Sequence, residues 1–374
     1  MSEYFGKEIP KLGFGLMRLP GTAGGGNPDI EETKKMVDLF MDAGLTYFDT
    51  AFVYDKGGSE KAAKQALVER YPRESFQLAT KLHATMGGNS EEEAKQELFT
   101  SLERTGAGYF DFYLLHSLMT TNEEKYSEYG LWDFVKEMKD KGYIKHYGFS
   151  FHGTPELLER LLTEHPDVEF VQLQINYADW ENPAIASRTN YEIARRHGKS
   201  IIVMEPVKGG ILANPPKAVA DLFKAANPDA SFASWAIRYA ASMDGIITVL
   251  SGMSNTAQME DNLSYMRDFK PLSADEQAVI QKAQDILAAG ESIACTACRY
   301  CVDGCPMNIP IPDVFRAMNE AQTFDFDSGK RRYERSVSAG GRASDCVACG
   351  QCEGACPQHL PIIDLLAKGA EMFD

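Results

Sequence analysis

The sequence predicts an α/β chain in two parts, a (β/α)8 barrel over residues 1–290 and a small metal-binding module over residues 291–374. Three observations lead to that reading. Short apolar strands alternate with amphipathic helices through the first three-quarters of the chain. From the second step onward most strand-plus-helix units take about 30–35 residues, a length that suits one βα unit. All eight cysteines fall at or after Cys295, so composition itself divides the chain.

Eight strands are expected, over 11–16, 46–50, 76–81, 110–116, 143–150, 170–176, 200–206 and 245–252. Several are near-continuous apolar runs, such as Ile201-Ile202-Val203-Met204 and Ile246-Ile247-Thr248-Val249-Leu250. Runs of that kind suit strands buried on both faces of a parallel sheet. A helix is expected over 30–43, where Met36, Val37, Leu39 and Phe40 recur at helical spacing. Another over 90–104 opens with a Ser90–Glu93 capping box. A third over 122–141 places Leu131, Phe134, Val135 and Met138 on one face. Eight strands with eight crossover helices describe a closed barrel. An open, doubly wound sheet is the alternative, and the even unit length favours closure.

A helix over 274–289 leads into Gly290-Glu291-Ser292, where the composition turns to Cys, Gly and Pro. The domain boundary is placed there. Between two cysteine runs lies a polar stretch, 321–344, with Asp325, Asp327, Lys330, Arg331 and Arg332, which reads as helix and loop.

The formal net charge of −16 excludes a phosphate-backbone partner, which needs a basic face. The residues from Met1 to Lys7 have neither the apolar core nor the cleavage site of a signal peptide, and no apolar run is long enough for a membrane span. The expectation is a cytoplasmic protein. Clustered cysteines in that compartment point to metal rather than to disulfides.

The cysteines form two runs, Cys295, Cys298, Cys301, Cys305 before Pro306, and Cys346, Cys349, Cys352, Cys356 before Pro357. Both read C-x2-C-x2-C-x3-C-P. Two structural zinc sites with four thiolates each are the alternative, but zinc ribbons pair two C-x2-C units across a loop. The doubled run resembles bacterial two-cluster ferredoxins. That resemblance covers the C-terminal fifth of the chain and implies a ferredoxin-like domain with two [4Fe-4S] clusters. It implies one cluster on Cys295, Cys298, Cys301 and Cys356, and a second on Cys346, Cys349, Cys352 and Cys305.

In a parallel barrel, chemistry occurs at the C-terminal ends of the strands. Asp49 ends the second strand, Tyr54 follows on its loop, Lys81 ends the third and His116 ends the fourth. These four suffice for carbonyl reduction. A phenol of pKa about 10 is a slow acid at neutral pH, and a nearby ammonium favours its phenolate. Lys81 can serve Tyr54 in that way, with Asp49 holding Lys81, while His116 hydrogen-bonds the carbonyl oxygen. Hydride then arrives at carbon as Tyr54 supplies the proton.

Here the chain resembles the aldo-keto reductase superfamily. The likeness runs over residues 8–270 and rests on Gly13-Phe14-Gly15, Phe48-Asp49-Thr50-Ala51, Tyr54, Gly58-Ser59-Glu60, Lys81, His116, Gly148-Phe149-Ser150 and Gln172 through Asn176-Tyr177. It implies a TIM barrel, an NAD(P)(H) cofactor, a small carbonyl substrate and the tetrad Asp49, Tyr54, Lys81 and His116. The match looks like the branch that bears a C-terminal ferredoxin domain. By the same resemblance Ser150, Gln172 or Gln174, and Met204 meet the nicotinamide, while Gly252, Ser254, Gln258 and Asn262 follow the eighth strand at the cofactor. Gln172 and Gln174 face the same side, so strand register leaves both open. Phe151 stands where the family has Asn, and Met204 where an aromatic ring often stacks. The segment Ser251 to Gln258 has no Lys or Arg for a 2′-phosphate, which leaves NAD and NADP both open. Lys208, ahead of Gly209 and Gly210, is either a phosphate contact or a solvated loop charge.

Nicotinamides deliver electron pairs whereas iron–sulfur clusters pass single electrons. One reading therefore keeps the clusters structural or regulatory beside a carbonyl reductase. A second has them feed a flavin or a redox-active substrate in the barrel mouth, with a one-electron redox partner. A third makes the chain a non-catalytic electron carrier. No flavin fingerprint is present: Gly24-Gly25-Gly26 lacks the strand–helix context of G-x-G-x-x-G.

Overall fold

The computed structural model describes residues 2–22, 27–288, 293–323 and 326–374. The glycine run 24–26, the expected boundary at 290–291 and Asp325 lie outside the described residues. The chain divides into two compact units, residues 1–207 with 220–282, and residues 208–219 with 283–374.

The first unit opens with an unforeseen antiparallel hairpin, β1 (Ser2–Tyr4) and β2 (Lys7–Ile9). Eight parallel strands follow: β3 (Leu12–Gly15), β4 (Tyr47–Asp49), β5 (Gln77–Leu82), β6 (Phe110–Leu118), β7 (Ile144–Phe151), β8 (Phe170–Gln174), β9 (Ser200–Met204) and β10 (Ile246–Ser251). They pair in chain order, and β10 pairs with β3 to close the barrel. Every strand expected from the sequence is present, with ends displaced by a residue or two. The two-residue overreach on β8 has a local cause: Asn176 leaves the ladder because its Oδ1 accepts the Asp179 N–H at 2.9 Å, turning the chain.

The helices of this unit are α1 (Ile30–Asp42), α2 (Gly58–Ala63), α3 (Glu91–Thr105), α4 (Glu123–Glu128), α5 (Leu131–Asp140), α6 (Pro155–Glu164) and α7 (Ser187–Arg196). Then come α8 (Lys217–Ala226), α9 (Phe232–Ala241), α10 (Thr256–Met266) and α11 (Ala274–Ala288). The single helix expected over 122–141 is two, because Gly130 takes a left-handed conformation (φ 60°) and restarts the chain as α5. The capping box on α3 forms by half. Ser90 Oγ accepts the Glu93 N–H at 3.2 Å, while Glu93 turns to the Asn89 N–H at 2.7 Å instead of Ser90.

The barrel interior is packed by Tyr47, Ala79, Phe112, Leu114, Phe170 and Ile202. Ile9 joins that cluster, and the Phe5 ring lies 5.8 Å from Phe112 and 6.4 Å from Phe170. The hairpin thus plugs the N-terminal mouth. Side chains alternate along a strand, so residues two beyond these interior positions also point inward. Asp49, Lys81, His116, Gln172, Gln174 and Met204 satisfy that parity, all toward the C-terminal ends. Phe149 and Phe151 have the opposite parity and pack in the layer between strands and helices.

The second unit holds α12 (Tyr300–Asp303), α13 (Ile311–Thr323), α14 (Phe326–Ser336), α15 (Gln351–Gly354) and α16 (Ile362–Phe373). It is an internal repeat. Adding 51 to each residue number carries Cys295, Cys298, Cys301 and Cys305 onto Cys346, Cys349, Cys352 and Cys356, and the start of α13 onto that of α16. The left-handed residues Ala297, Arg299 and Asn308 fall on Ala348, Gly350 and His359 in the same way. The polar stretch 321–344 is the helix α14 packed on α13. Gly329 permits the close approach, since a Cβ there would meet the Ala317 carbonyl oxygen at 2.6 Å. Tyr333 anchors it, donating to Asp374 Oδ1 at 2.7 Å and accepting the Ala343 N–H at 2.8 Å.

Candidate active site and cysteine centres

Strand geometry brings the four barrel residues together. Lys81, fully buried at the end of β5, donates to Asp49 Oδ1 at 2.5 Å and to the Thr50 carbonyl at 2.7 Å. Its ammonium lies 4.9 Å from the centre of the Tyr54 ring. The His116 ring is 5.6 Å from that of Tyr54 and edge-on to it. Burial pushes the Asp49 carboxyl up and the Lys81 ammonium down, and each partner pulls the other back toward its charged form. The His116 imidazole is held well below its usual range, first by burial and then by the Lys81 charge, so it is neutral at physiological pH. Asp49 Oδ2 is buried without a partner.

Tyr54 sits on a turn that the sequence shapes tightly. Asp55, Lys56 and Gly57 are all left-handed, with φ of 49°, 52° and 87°. A Cβ on Gly57 would strike the Arg104 guanidinium at 2.7 Å. Arg104 in turn donates to the Phe52 carbonyl at 3.0 Å and pairs with the buried Glu60 at 3.2 Å. Ser59 ties the same loop to the turn just past β3, donating to the Leu16 carbonyl at 2.9 Å. Gly58-Ser59-Glu60 is therefore a brace for the tyrosine loop.

On the far side of the barrel mouth, Ser150 Oγ accepts the Ser117 N–H at 2.7 Å. The two glutamines that register left equivalent differ in their bonds. Gln174 donates to Asp179 Oδ2 at 2.8 Å, within a buried knot that includes Asn176. Gln172 Nε2 reaches the Met204 sulfur at 3.6 Å, and its Oε1 is buried with no partner. Past β10, Asn262 donates to Ser251 Oγ and accepts from Tyr265, both at 2.6 Å. Gln258 Oε1 accepts the Ser254 N–H at 2.7 Å, and Gly252 is open to solvent. Lys208 falls in the second unit, buried, with a left-handed backbone (φ 50°).

Three residues escaped the sequence reading. The Arg18 stem lies against Gly252, and its guanidinium pairs with Glu205 at 3.7 Å. Glu32, on α1, accepts from both the backbone N–H and the hydroxyl of Thr256 at the first turn of α10. Closure makes the first and last βα units neighbours, which is the signal that could have found both. His83, two residues past Lys81, stacks edge-on 6.0 Å from His116. Its Nδ1 accepts the Thr85 and Met86 N–H groups at 3.1 and 3.0 Å, and burial pushes its pKa down to about 4.

In the second unit none of the eight cysteines is in a disulfide, and they sort into two groups of four. Cys295, Cys298, Cys301 and Cys356 line one void, with Phe315 and Ile362. Cys305, Cys346, Cys349 and Cys352 line a second, with Ile363 and Leu366. The fourth cysteine of each run crosses to the other group. Among the described residues no three His, Cys, Asp or Glu side chains are placed to hold a single metal ion. The Ala297 N–H points at the Cys295 sulfur at 3.4 Å, the kind of backbone donor that steadies a thiolate. Four cysteine sulfurs around one apolar-lined void have the donor chemistry of an iron–sulfur cluster site.

Residues 11–285 match the aldo/keto reductase family. The chain belongs to that family. Residues 294–361 of this aldo-keto reductase match the 4Fe-4S dicluster domain. It is 30% identical over 186 residues to probable aldo-keto reductase 1 of Glycine max, covering 47% of this chain and 50% of the soybean protein. The chain thus spans about half the length of that relative. It is 24% identical to the oxidoreductase YqkF of Bacillus subtilis, over 76% of this chain and 96% of YqkF. Among solved structures, an aldo-keto reductase of Bacillus halodurans in its holo form superposes with a TM-score of 0.61 at 25% identity, over 74% of this chain and 93% of that one. This aldo-keto reductase therefore combines a closed eight-stranded barrel with a C-terminal 4Fe-4S dicluster domain. No helix among its described residues is long and apolar enough to cross a membrane.

Proposed function

We propose that this aldo-keto reductase interconverts a small carbonyl compound and its alcohol with NAD(P)(H), using Tyr54 as the general acid and base. The observation that carries the proposal is the buried Lys81 ammonium, fixed by Asp49 and Thr50 and set 4.9 Å from the Tyr54 ring. An ammonium so placed favours the phenolate left behind when Tyr54 gives up its proton. Because the pair is preorganised and dry, the stabilisation needs no rearrangement during the reaction. The neutral His116 can hydrogen-bond the carbonyl oxygen and aim it at Tyr54. In the reverse direction Tyr54 takes the proton from the alcohol.

A reduced nicotinamide, when bound, supplies the hydride. The orphaned Gln172 Oε1 is suited to a carboxamide N–H, which favours Gln172 over Gln174 for that contact. Ser150 and Met204 flank it. Glu32 occupies the first turn of α10, where an anion would otherwise be welcomed, and this favours NAD(H) over NADP(H). Arg18, beside Gly252, is the cation best placed for a cofactor diphosphate.

For the second unit we propose one cluster on Cys295, Cys298, Cys301 and Cys356 and another on Cys346, Cys349, Cys352 and Cys305. Their grouping around two voids supports this. The clusters would supply one-electron redox chemistry, and the thiolates hold them. We assign residues 1–290 to the barrel domain and 291–374 to the cluster domain, and propose a cytoplasmic location, in keeping with cysteines confined to two metal-type runs.

The test is Tyr54→Phe assayed with NADH and NADPH on a panel of small aldehydes and ketones. Turnover should fall roughly 1,000-fold. Wild-type rates in the variant would remove Tyr54 from this role.

A further inference from the structure

We infer that a small, basic one-electron carrier protein docks on the apolar face beside Cys349 and exchanges electrons with the cluster of Cys305, Cys346, Cys349 and Cys352. The inference rests on the cluster assignment just proposed.

The repeat supplies its own control. The two halves carry equivalent loops, yet their outer surfaces differ. In the first half Thr296, between Cys295 and Cys298, is 1% exposed. It is covered within its own unit by the 208–219 segment: a Cβ on Gly209 would meet the Thr296 carbonyl oxygen at 2.4 Å. Its equivalent in the second half, Val347, is 59% exposed, the highest value among the large hydrophobic residues described. Met307 is 37% exposed, whereas its equivalent, Gln358, is 5% exposed. Cys349 is exposed where its counterpart Cys298 is half-buried.

The second void is therefore rimmed by two solvent-facing apolar side chains, Val347 and Met307, beside an exposed ligand. Single exposed apolar residues are ordinary, but two flanking a redox centre mark an interaction site. The first half also indicates what covers such a face, a polypeptide backbone pressed on the cysteine loop. No described segment of this chain does so in the second half.

Charge narrows the partner further. Asp303, Asp345 and Asp364 are exposed within two residues of the lining positions Cys305, Val347 and Ile363. Lys368 is the exposed cation near them in sequence. With a net charge of −16 on the whole chain, a basic carrier would be drawn in by the field and seated by the apolar pair. The exchange moves one electron: the carrier changes oxidation state by one, the cluster changes by one in the opposite sense, and no bond is made or broken.

The experiment uses the anaerobic, cluster-loaded full chain, chemically reduced and freed of excess reductant. Stopped-flow mixing with oxidised cytochrome c, a basic one-electron acceptor, reads the exchange rate, and a small dye acceptor serves as a control insensitive to docking. Val347→Lys and Met307→Lys should each slow cytochrome c reduction roughly 10-fold. Dye reduction and the cluster electron paramagnetic resonance signal should stay unchanged. Ser264→Lys, an exposed charge change on the barrel, should leave the rate within about twofold. The wild-type rate should also fall as salt is raised. Unchanged exchange in both rim variants overturns the docking face. An equal loss with the dye in both variants does so as well, since it means that the cluster itself was altered. Protein that binds no iron overturns the cluster assignment beneath it.

Discussion

The two units hold their reactive groups in different ways. In the barrel, Asp49, Lys81 and His116 stand at strand ends, above an apolar interior of Tyr47, Phe112, Leu114 and Phe170 that packs without them. In the second unit, Cys301, Cys352 and Cys356 belong to the apolar core itself, buried with Val314, Phe315 and Leu366. Their carrying segments contain helices of only four residues, α12 and α15. The barrel thus has a framework that stands apart from its chemistry. In the cluster domain framework and chemistry are one, as in small metal-bound folds where binding energy is folding energy.

The sharpest way to break that contrast is to remove the iron. Chelation under reducing conditions should release the α13 amides (311–323) to hydrogen exchange while the β10 amides (246–251) stay protected and carbonyl turnover persists. Protection of α13 without iron would show that the cysteines are passengers in their own core.

Next in size is Lys81→Met, which marks the limit of the barrel's independence. It strands the Asp49 carboxylate in a dry site, and such half-broken pairs cost about 3–5 kcal/mol. Urea unfolding should show that loss, and adding Asp49→Asn should recover part of it. A single variant as stable as wild type would mean that the pair is neither buried nor charged.

A smaller effect concerns Glu97, behind β5, whose Oε2 accepts the His83 N–H at 2.9 Å. Burial pushes its pKa up to about 8. The folded protein then holds this proton where the unfolded chain has lost it. The associated stability is complete below the ordinary carboxyl range and is lost as pH rises through about 8. Between pH 6.5 and 8 the loss should be on the order of 1–2 kcal/mol, opposed by a smaller gain as the unfolded-state His83, buried neutral in the folded protein, sheds the last of its charge. Glu97→Gln should flatten that segment of the stability profile, and an unchanged slope would refute the assignment.

The smallest effect is at the cofactor. Glu32→Gln takes a carboxylate away from the first turn of α10, and NADPH should gain on NADH by roughly 3- to 5-fold in kcat/KM. No change in that ratio would mean that the 2′-phosphate binds elsewhere.

Much of this was legible in the sequence because the relevant codes are short-range. Alternation along a strand fixes which residues face the mouth, so Asp49, Lys81 and His116 could be placed together before any coordinates. The resemblance to two-cluster ferredoxins implied the same sorting of cysteines that the linings of the two voids show. What escaped reading depends on contacts distant in sequence. Glu32 meets Thr256 across the barrel seam, and Gln172 differs from Gln174 through Asp179 and Met204, not through register. The break at Gly130 turned on one residue's backbone angle inside an otherwise helical pattern. The unequal exposure of Val347 and Thr296 depends on the 208–219 segment, which lies some ninety residues from the loop it covers.

Both sites can be probed at once on anaerobically purified Tyr54→Phe protein, by measuring iron, acid-labile sulfide and carbonyl turnover on one sample. Two four-iron clusters require about eight iron and eight sulfide per chain. The expected result is that full complement with carbonyl reduction at background. Zinc in place of iron, or undiminished carbonyl reduction with Phe at position 54, would contradict it.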